Sequence, residues 1–344
     1  MESATTYDAL SPEALRSCRL CPRSCGVDRT AGQAGVCGQG AEVVLARAAL
    51  HYWEEPPISA VAGSGTVFFS GCTLRCVYCQ NRDISTGEVG RTVSVERLAQ
   101  IFLEQQARGA NNINLVTPTQ FAPQIAAALD LARAGDVAAR PDMLEAIACH
   151  SAKFPFARLD DCSVLDLPVV CNTSSYELPK VIARLAGHVD VFLTDFKYAS
   201  PPLAQRYSKA ADYPRVASAA LDAMYAAVGP ARFGTSPSDG EEVMTRGIIV
   251  RHLMLPGCLE DSKAVVDLIA GKPYAQDIWV SLMNQYTPLS FVKDACPELD
   301  RTVPDAEYDE LIDYALDAGL ENSFMQEGGT AEESFIPAFD YEGV

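Results

Sequence analysis

At 344 residues, 48 % of them apolar, the chain is long enough for one large α/β domain with appendages and can bury a sizeable core. Its net charge is −18, and between positions 298 and 344 fourteen acids face a single base, Arg301. Phosphate binding needs clustered Lys and Arg, so a nucleic-acid partner is not expected, and the acidic end reads as a solvated, solubilising surface. No basic-flanked apolar leader opens the sequence and no apolar run nears the roughly 18 residues of a membrane span, which predicts a cytoplasmic protein with no membrane partner.

The first 40 residues or so are rich in Cys, Gly and Arg and have no hydrophobic period. Within them, Cys18-x₂-Cys21-x₃-Cys25-x₁₁-Cys37 sets four thiols along a stretch too short to fold on a core of its own. Such a set suits a structural zinc or an iron–sulfur cluster, and the pattern leaves the choice open. Arg16, Arg19, Arg23 and Arg29 lie among these cysteines, where they would offset thiolate charge. A small metal-organised lobe is therefore expected over residues 1–45. A loop-rich connector containing His51-Tyr52-Trp53-Glu54-Glu55-Pro56-Pro57 follows.

From there strand and helix signals alternate. Short apolar, β-branched runs at 66–70, 112–117, 167–173, 189–196, 247–255 and 277–284 each suit a strand buried on both faces. Helical stretches fall at 94–109, where Ser94 is placed to cap, and at 120–134, 177–185, 214–228, 261–269 and 305–318. Six such units point to right-handed βαβ crossovers around a parallel sheet, open or partly closed into a barrel, over residues 46–320. Residues 136–166 break the rhythm with an extra helical piece and read as an insertion able to reach the rim of the barrel. An acidic segment, 321–344, ends the chain.

The decisive stretch is Ser70-Gly71-Cys72-Thr73-Leu74-Arg75-Cys76-Val77-Tyr78-Cys79-Gln80-Asn81, directly after the first of these strands. Parallel α/β sheets place their active sites at the C-terminal ends of the strands. Cys72-x₃-Cys76-x₂-Cys79 supplies three thiols and no fourth nearby, a set with an open position rather than a closed zinc cage. The other five cysteines, Cys149, Cys162, Cys171, Cys258 and Cys296, are scattered and read as small core residues. His51, His150 and His188 read as structural.

The Cys-x₃-Cys-x-aromatic-Cys pattern, with Tyr78 in the aromatic place, resembles the radical S-adenosylmethionine (SAM) superfamily. The wider string resembles its pyruvate formate-lyase activating enzyme-like group. Its marks are Cys18-Arg19-Leu20-Cys21-Pro22-Arg23-Ser24-Cys25, Trp53-Glu54-Glu55-Pro56, Asn112 to Thr119, Asp195-Phe196-Lys197-Tyr198, Arg251 to Gly257, and Gln285-Tyr286-Thr287-Pro288. The resemblance implies a partial (β/α)6 radical SAM barrel whose Cys72, Cys76 and Cys79 hold a [4Fe–4S] cluster. SAM would chelate the open iron, and its reductive cleavage would yield a 5′-deoxyadenosyl radical. A one-electron donor such as flavodoxin or ferredoxin would feed the cluster.

The resemblance also implies a SAM site. Tyr78 would pack on adenine, Thr117 and Thr119 would replace the Gly-Gly-Glu of relatives, and Asn172 would reach the ribose. Asp195 and Lys197 match an Asp-x-Lys pair. Arg251 and His252 alternate on the fifth strand, so only one can face inward, and His252 is placed with the SAM-binding set. The activity implied is radical generation on a protein or small molecule, in its sharpest form the activation of a glycyl radical enzyme. An iron–sulfur electron carrier or a zinc-organised scaffold stands as the reading from another class.

Overall fold

The computed structural model describes residues 8–160, 162–325 and 337–344; Asp161 of the expected insertion and residues 326–336 of the acidic segment lie outside the described residues. Ten strands, β1 (Val43–His51), β2 (Ser64–Phe69), β3 (Arg91–Val93), β4 (Ile113–Val116), β5 (Val169–Thr173), β6 (Val191–Asp195), β7 (Arg232–Thr235), β8 (Glu242–Leu253), β9 (Trp279–Met283) and β10 (Ser323–Met325), form one sheet of order β10-β9-β8-β6-β5-β4-β2-β1-β3, with β7 paired to β8 off this path. The six strands read from the sequence are β2, β4, β5, β6, β8 and β9, and their pairings with one another are all parallel. Strands β2, β4 and β5 are buried along their whole length, as a parallel sheet covered on both faces requires.

The helices are α1 (Pro56–Ser59), α2 (Arg82–Ser85), α3 (Val95–Ala107), α4 (Ala122–Ala134), α5 (Pro141–Cys149), α6 (Pro179–Leu185), α7 (Pro201–Ser208), α8 (Tyr213–Val228), α9 (Leu259–Ala270), α10 (Ser290–Lys293) and α11 (Asp305–Asp317). Local chemistry sets their starts. Ser94 accepts the N–H of Arg97 to cap α3, and Pro in the first turn opens α4, α5, α6, α7 and α8, where its fixed φ suits a helix and its missing N–H has no partner to lose. No helix among the described residues is long and apolar enough to cross a membrane.

Three expectations change. The boundary expected at residue 45 falls inside β1, which pairs antiparallel with β2 and extends the sheet; Ala14, Leu15, Cys18 and Leu20 belong to the same core cluster as the barrel strands. The preceding lobe is thus packed on the barrel rather than hung beside it.

The insertion does not reach the rim. It joins the C-terminus of α4 to the start of β5, at the end of the sheet opposite the strand C-termini. There Arg158 N–H donates to the Ala107 carbonyl and Leu165 N–H to that of Ala132.

The described end of the tail, residues 337–344, is not a free solvated surface either. Backbone N–H groups of Tyr341 and Ala48 bond the carbonyls of Ala46 and Glu342, placing residues 337–344 along β1. Asp340 and Glu342 pair with Arg47, and Phe339 meets Phe68 edge to face. Of the scattered cysteines, Cys171 and Cys296 are buried as expected but Cys149 is exposed at the end of α5.

Candidate active site

The strand C-termini open into a cleft of about 450 Å³. The loop after β2 brings Cys72, Cys76 and Cys79 into it together, with Tyr78, Gln80 and Asn81. Gln120, buried, holds this loop to the end of β4: its amide N–H groups donate to the carbonyls of Ser70 (3.1 Å), Gly71 (3.0 Å) and Thr117 (2.8 Å). Thr117 itself sits at φ +57°, a left-handed conformation unusual for a β-branched residue and held here by its N–H bond to the Asn172 carbonyl.

Each of the three thiols has a donor aimed at it. Leu74 and Arg75 N–H groups point at Cys72 Sγ (3.4 and 3.5 Å), Ser208 Oγ–H donates to Cys76 Sγ (3.1 Å), and the Ser85 hydroxyl reaches Cys79. Burial pushes the Cys79 thiol up to about 12 and raises that of Cys72. Buried thiols held up in this way ionise only when a metal replaces the proton, and the donors around them suit thiolate sulfur. The three residues therefore fit a cluster with one iron left open.

Opposite the cysteines the register of the sheet sets a buried charge network. Asp195 at the end of β6 pairs in register with Arg251 on β8, so their side chains share a face. Arg251 Nε donates to Asp195 Oδ1 (2.9 Å), Nη1 to Glu54 Oε2 (3.1 Å) and Nη2 to Asn172 Oδ1 (2.8 Å); Lys197 Nζ meets Asp195 Oδ2 at 2.7 Å. Asn114 and Asn172 amides donate to Glu54 Oε1 (3.0 and 3.3 Å). Burial alone would raise Asp195, but the charges of Lys197 and Arg251 outweigh it and hold the carboxyl below its ordinary value. The same pairing holds Lys197 above its usual range against the opposing effect of burial. Two cations balance two anions with hydrogen bonds to spare, the condition for burying charge at all.

Of the residues expected to hold SAM, Tyr78, Thr117, Asn172, Asp195 and Lys197 line the cleft, and Thr119 and His252 do not. Thr119 Oγ1–H donates to buried Glu177 (2.6 Å) behind the strands. His252 alternates to the helix side of β8, fixed between the Phe196 carbonyl (2.7 Å) and Ser262 Oγ (2.9 Å), and burial lowers it to about 4, so it stays neutral. Arg251 is the inward residue. Asn172 faces the cleft, yet both ends of its amide are already engaged by Arg251 and Glu54.

The tyrosine hydroxyl of Tyr78 accepts from Tyr198 (2.8 Å), whose oxygen lies 2.8 Å from Ser208 Oγ, and Tyr198, Tyr207 and Tyr286 pack edge-on around the Tyr78 ring. Sequence reasoning missed Glu54, although Trp53-Glu54-Glu55-Pro56 had been marked, and it missed His51 as a cleft residue. His150 and His188 lie outside the cleft, on the Ala146 carbonyl and Asp130.

The N-terminal thiols also gather. The Arg23 and Gln39 N–H groups reach Cys21 and Cys37, the Val36 N–H donates to Cys25 Sγ (3.3 Å), and the buried guanidinium of Arg29 lies 3.9 Å from Cys18 Sγ. Cys18, Cys21 and Cys25 all lie within electrostatic reach of one another or of Cys37. Among the described residues no three His, Cys, Asp or Glu side chains converge as a cage for a single ion, and this holds for both cysteine sets.

A parallel α/β sheet with a three-cysteine loop at its strand C-termini defines the class, and the comparison agrees. Residues 66–227 match the family model of the radical SAM superfamily, so this segment is a radical SAM domain, a family that implies a [4Fe–4S] cluster and SAM. Over 311 residues the chain is 25 % identical to an uncharacterised protein of Methanocaldococcus jannaschii, covering 88 % of this chain and 75 % of that protein. A crystal structure of HydG, a maturase of the [FeFe]-hydrogenase, is similar with a TM-score of 0.43 and 13 % identity over 77 % of this chain; the chain spans about half of HydG, 52 % of its length.

Variants at Arg251 and at Glu177, the carboxyl behind the strands, test the electrostatics in and beside the site. Arg251→Ala leaves Glu54 a buried carboxylate without its cation and Asp195 with Lys197 alone, and is expected to cost about 3–5 kcal/mol in urea unfolding, with part regained in the Arg251→Ala/Glu54→Gln double variant. Burial raises Glu177 to about 7 from an ordinary 4.5, against hydroxyls of Thr119 and Thr173 that pull it down. The folded state thus keeps a proton that the unfolded chain has lost. This stability is fully present below pH 4.5 and is lost as pH rises through about 7. Glu177→Gln should flatten that decline by on the order of 2–3 kcal/mol between pH 4.5 and 8, read from urea unfolding at each pH. Parallel curves for the two proteins would contradict the assignment.

Proposed function

We propose that the chain is a radical SAM enzyme that reductively cleaves SAM and takes a hydrogen atom from a peptide segment of a partner protein, in the manner of a glycyl-radical-enzyme activating enzyme. The observation that carries the SAM part is that the three thiols and the Glu54–Arg251–Asp195–Lys197 network share one cleft at the strand C-termini. Cys72, Cys76 and Cys79 would hold the cluster. Tyr78, Thr117, Asn172, Asp195 and Lys197, joined by Arg251 and Glu54, would hold SAM. When bound, these cofactors supply the one-electron cleavage that makes a 5′-deoxyadenosyl radical.

The residues of the chain bind, orient and exclude water. Lys197 and Arg251 keep positive charge where a carboxylate can be received, while Asp195 and Glu54 offer acceptors to an ammonium or a ribose. Phe68, Val116, Leu253 and Met283 give the cleft apolar walls that keep water from a reactive radical. Trp53 lines the cleft and is 66 % exposed, so it stands where the cleft meets solvent. Beside it Tyr52, Gln80, Asn81 and Gln285 offer an aromatic edge and side-chain amides, which supports a peptide substrate over a sealed small-molecule pocket. We further propose that Cys18, Cys21, Cys25 and Cys37 hold a second metal centre in the N-terminal lobe that precedes β1. The N–H donors around those sulfurs support that reading.

The test is one incubation series. Anaerobically reconstituted, dithionite-reduced protein is expected to turn SAM into 5′-deoxyadenosine and methionine, and alanine at Cys72, Cys76 and Cys79 together to bring this to the protein-free level. With a candidate glycyl radical protein carrying α-deuterated glycine, label should enter 5′-deoxyadenosine and a glycyl doublet should appear by electron paramagnetic resonance. SAM cleavage by the triple variant would refute the cluster assignment. Competent cleavage without label transfer would move the substrate to a small molecule.

A further inference from the structure

The N-terminal cysteine set is built against the back of the catalytic loop. A Cβ placed on Gly71 would stand 2.5 Å from the carbonyl oxygen of Cys37, so Gly71, the residue before Cys72, is a glycine because the Cys37 backbone passes there in contact. A Cβ on Gly38 would meet Arg75 Nη2 at 3.0 Å, and the Arg75 N–H in turn faces Cys72 Sγ.

Arg23, two residues past Cys21, clamps the loop from the lobe side. Its guanidinium donates to the carbonyls of Thr73 (2.9 Å), Leu74 (3.3 Å), Ser208 (2.9 Å) and Lys209 (2.6 Å), and Ser208 is the donor to Cys76 Sγ. Arg29, which faces Cys18, also donates to the backbone carbonyl of Gln120, the residue whose side chain holds Ser70 and Gly71. A lobe needed only to fold itself would not have to spend two arginines and a backbone contact on this loop.

The set is also graded from outside to inside. Cys21 and Cys25 are half-buried, Cys18 and Cys37 buried, and Val36, whose N–H faces Cys25, is 44 % exposed. Arg16 and Arg19 are exposed on this lobe. Glu13 and Asp28 lie within electrostatic reach of Arg16, and over residues 8–41 four arginines stand against three acids, so in a chain of net charge −18 this face repels an acidic partner less than the rest.

We propose that Cys18, Cys21, Cys25 and Cys37 hold a redox-active iron–sulfur centre through which the catalytic cluster is reduced, the route running from Cys37 across Gly71 to Cys72. The inference rests on the second metal centre proposed above and adds its role. The donor is an acidic, low-potential one-electron carrier of the flavin or iron–sulfur class, docking at Arg16 and Arg19. One electron leaves the donor, passes through the lobe centre and ends on the catalytic cluster. No bond is made or broken in that transfer, and the donor finishes one electron oxidised.

The test compares three full-length proteins reconstituted with iron and sulfide: the unaltered chain, a four-fold Ser variant at Cys18, Cys21, Cys25 and Cys37, and Arg16→Glu/Arg19→Glu. Iron per chain and the spectra of the reduced proteins are read first. The rate at which reduced flavodoxin reduces the catalytic cluster, without SAM, is then followed by stopped flow, with dithionite as the small reductant that needs no docking. The expected result is iron for two clusters in the unaltered chain, about half of that in the four-fold variant, and donor-driven reduction at least tenfold slower there at an unchanged dithionite rate.

The surface pair should keep full iron and slow only the donor-driven step, by several-fold and most at low salt. It removes no ligand and so answers even if the four-fold variant does not fold. Zinc in place of the extra iron, or no extra metal, overturns the inference together with its premise. Two clusters with equal donor-driven rates in all three proteins overturn the relay and leave the second metal centre standing.

Discussion

The three carbonyls gathered by the side chain of Gln120 fix the rest of the site. A loop bearing Cys72, Cys76 and Cys79 has no regular structure of its own, yet a cluster needs its sulfurs held to within a few tenths of an ångström. Gln120 joins the loop's first residues, Ser70 and Gly71, to Thr117 at the end of the next strand, so the loop inherits the rigidity of β2 and β4. Arg23 does the same for its middle from the outside, through Thr73 and Leu74. Between them they leave the three thiols as the groups free to face the cleft.

The opposite wall is rigid for a different reason. Arg251 is held by Asp195, Glu54 and Asn172 at once, and these come from three strands or connectors far apart in sequence. Each charge is compensated, so the network resists rearrangement while presenting polar atoms of both signs to a ligand. A zwitterionic amino-acid group such as the methionine end of SAM needs that pairing of signs. The cysteine side and the charged side thus suit the same end of one molecule, with Lys197 within electrostatic reach of Cys72 and Cys79.

Much of this was legible in the sequence. The six parallel strands announce themselves as short β-branched runs because both faces of each are buried, and the Cys-x₃-Cys-x₂-Cys loop follows the first of them. Strand β1 was missed because Val43–His51 is alanine-rich and carries Arg47, whose charge is neutralised by Asp340 and Glu342 from the far end of the chain. Alternation showed that Arg251 and His252 face opposite ways, but only the register of β8 against Asp195 on β6 decides which faces in. Glu54 gave a motif without a role, since its partners Asn114, Asn172 and Arg251 meet it only in the folded barrel. Thr119 is two residues past Thr117, a spacing that suggests a shared face in a strand, but the chain has already turned there and the hydroxyl goes to Glu177. The insertion was misplaced because the alternation was not followed through: a connection from a helix to the next parallel strand, here α4 to β5, lies at the strand N-termini, the end away from the cysteines.

The central claim is that SAM binds directly to a cluster held by Cys72, Cys76 and Cys79. It is tested most directly by the low-temperature electron paramagnetic resonance spectrum of the reduced, reconstituted protein, recorded with and without saturating SAM. The account predicts that SAM shifts the g-values of the catalytic-cluster signal and that ¹⁷O in the SAM carboxylate adds a hyperfine coupling to it. A fully assembled cluster whose spectrum is unmoved by SAM, with no coupling from the labelled carboxylate, would contradict it.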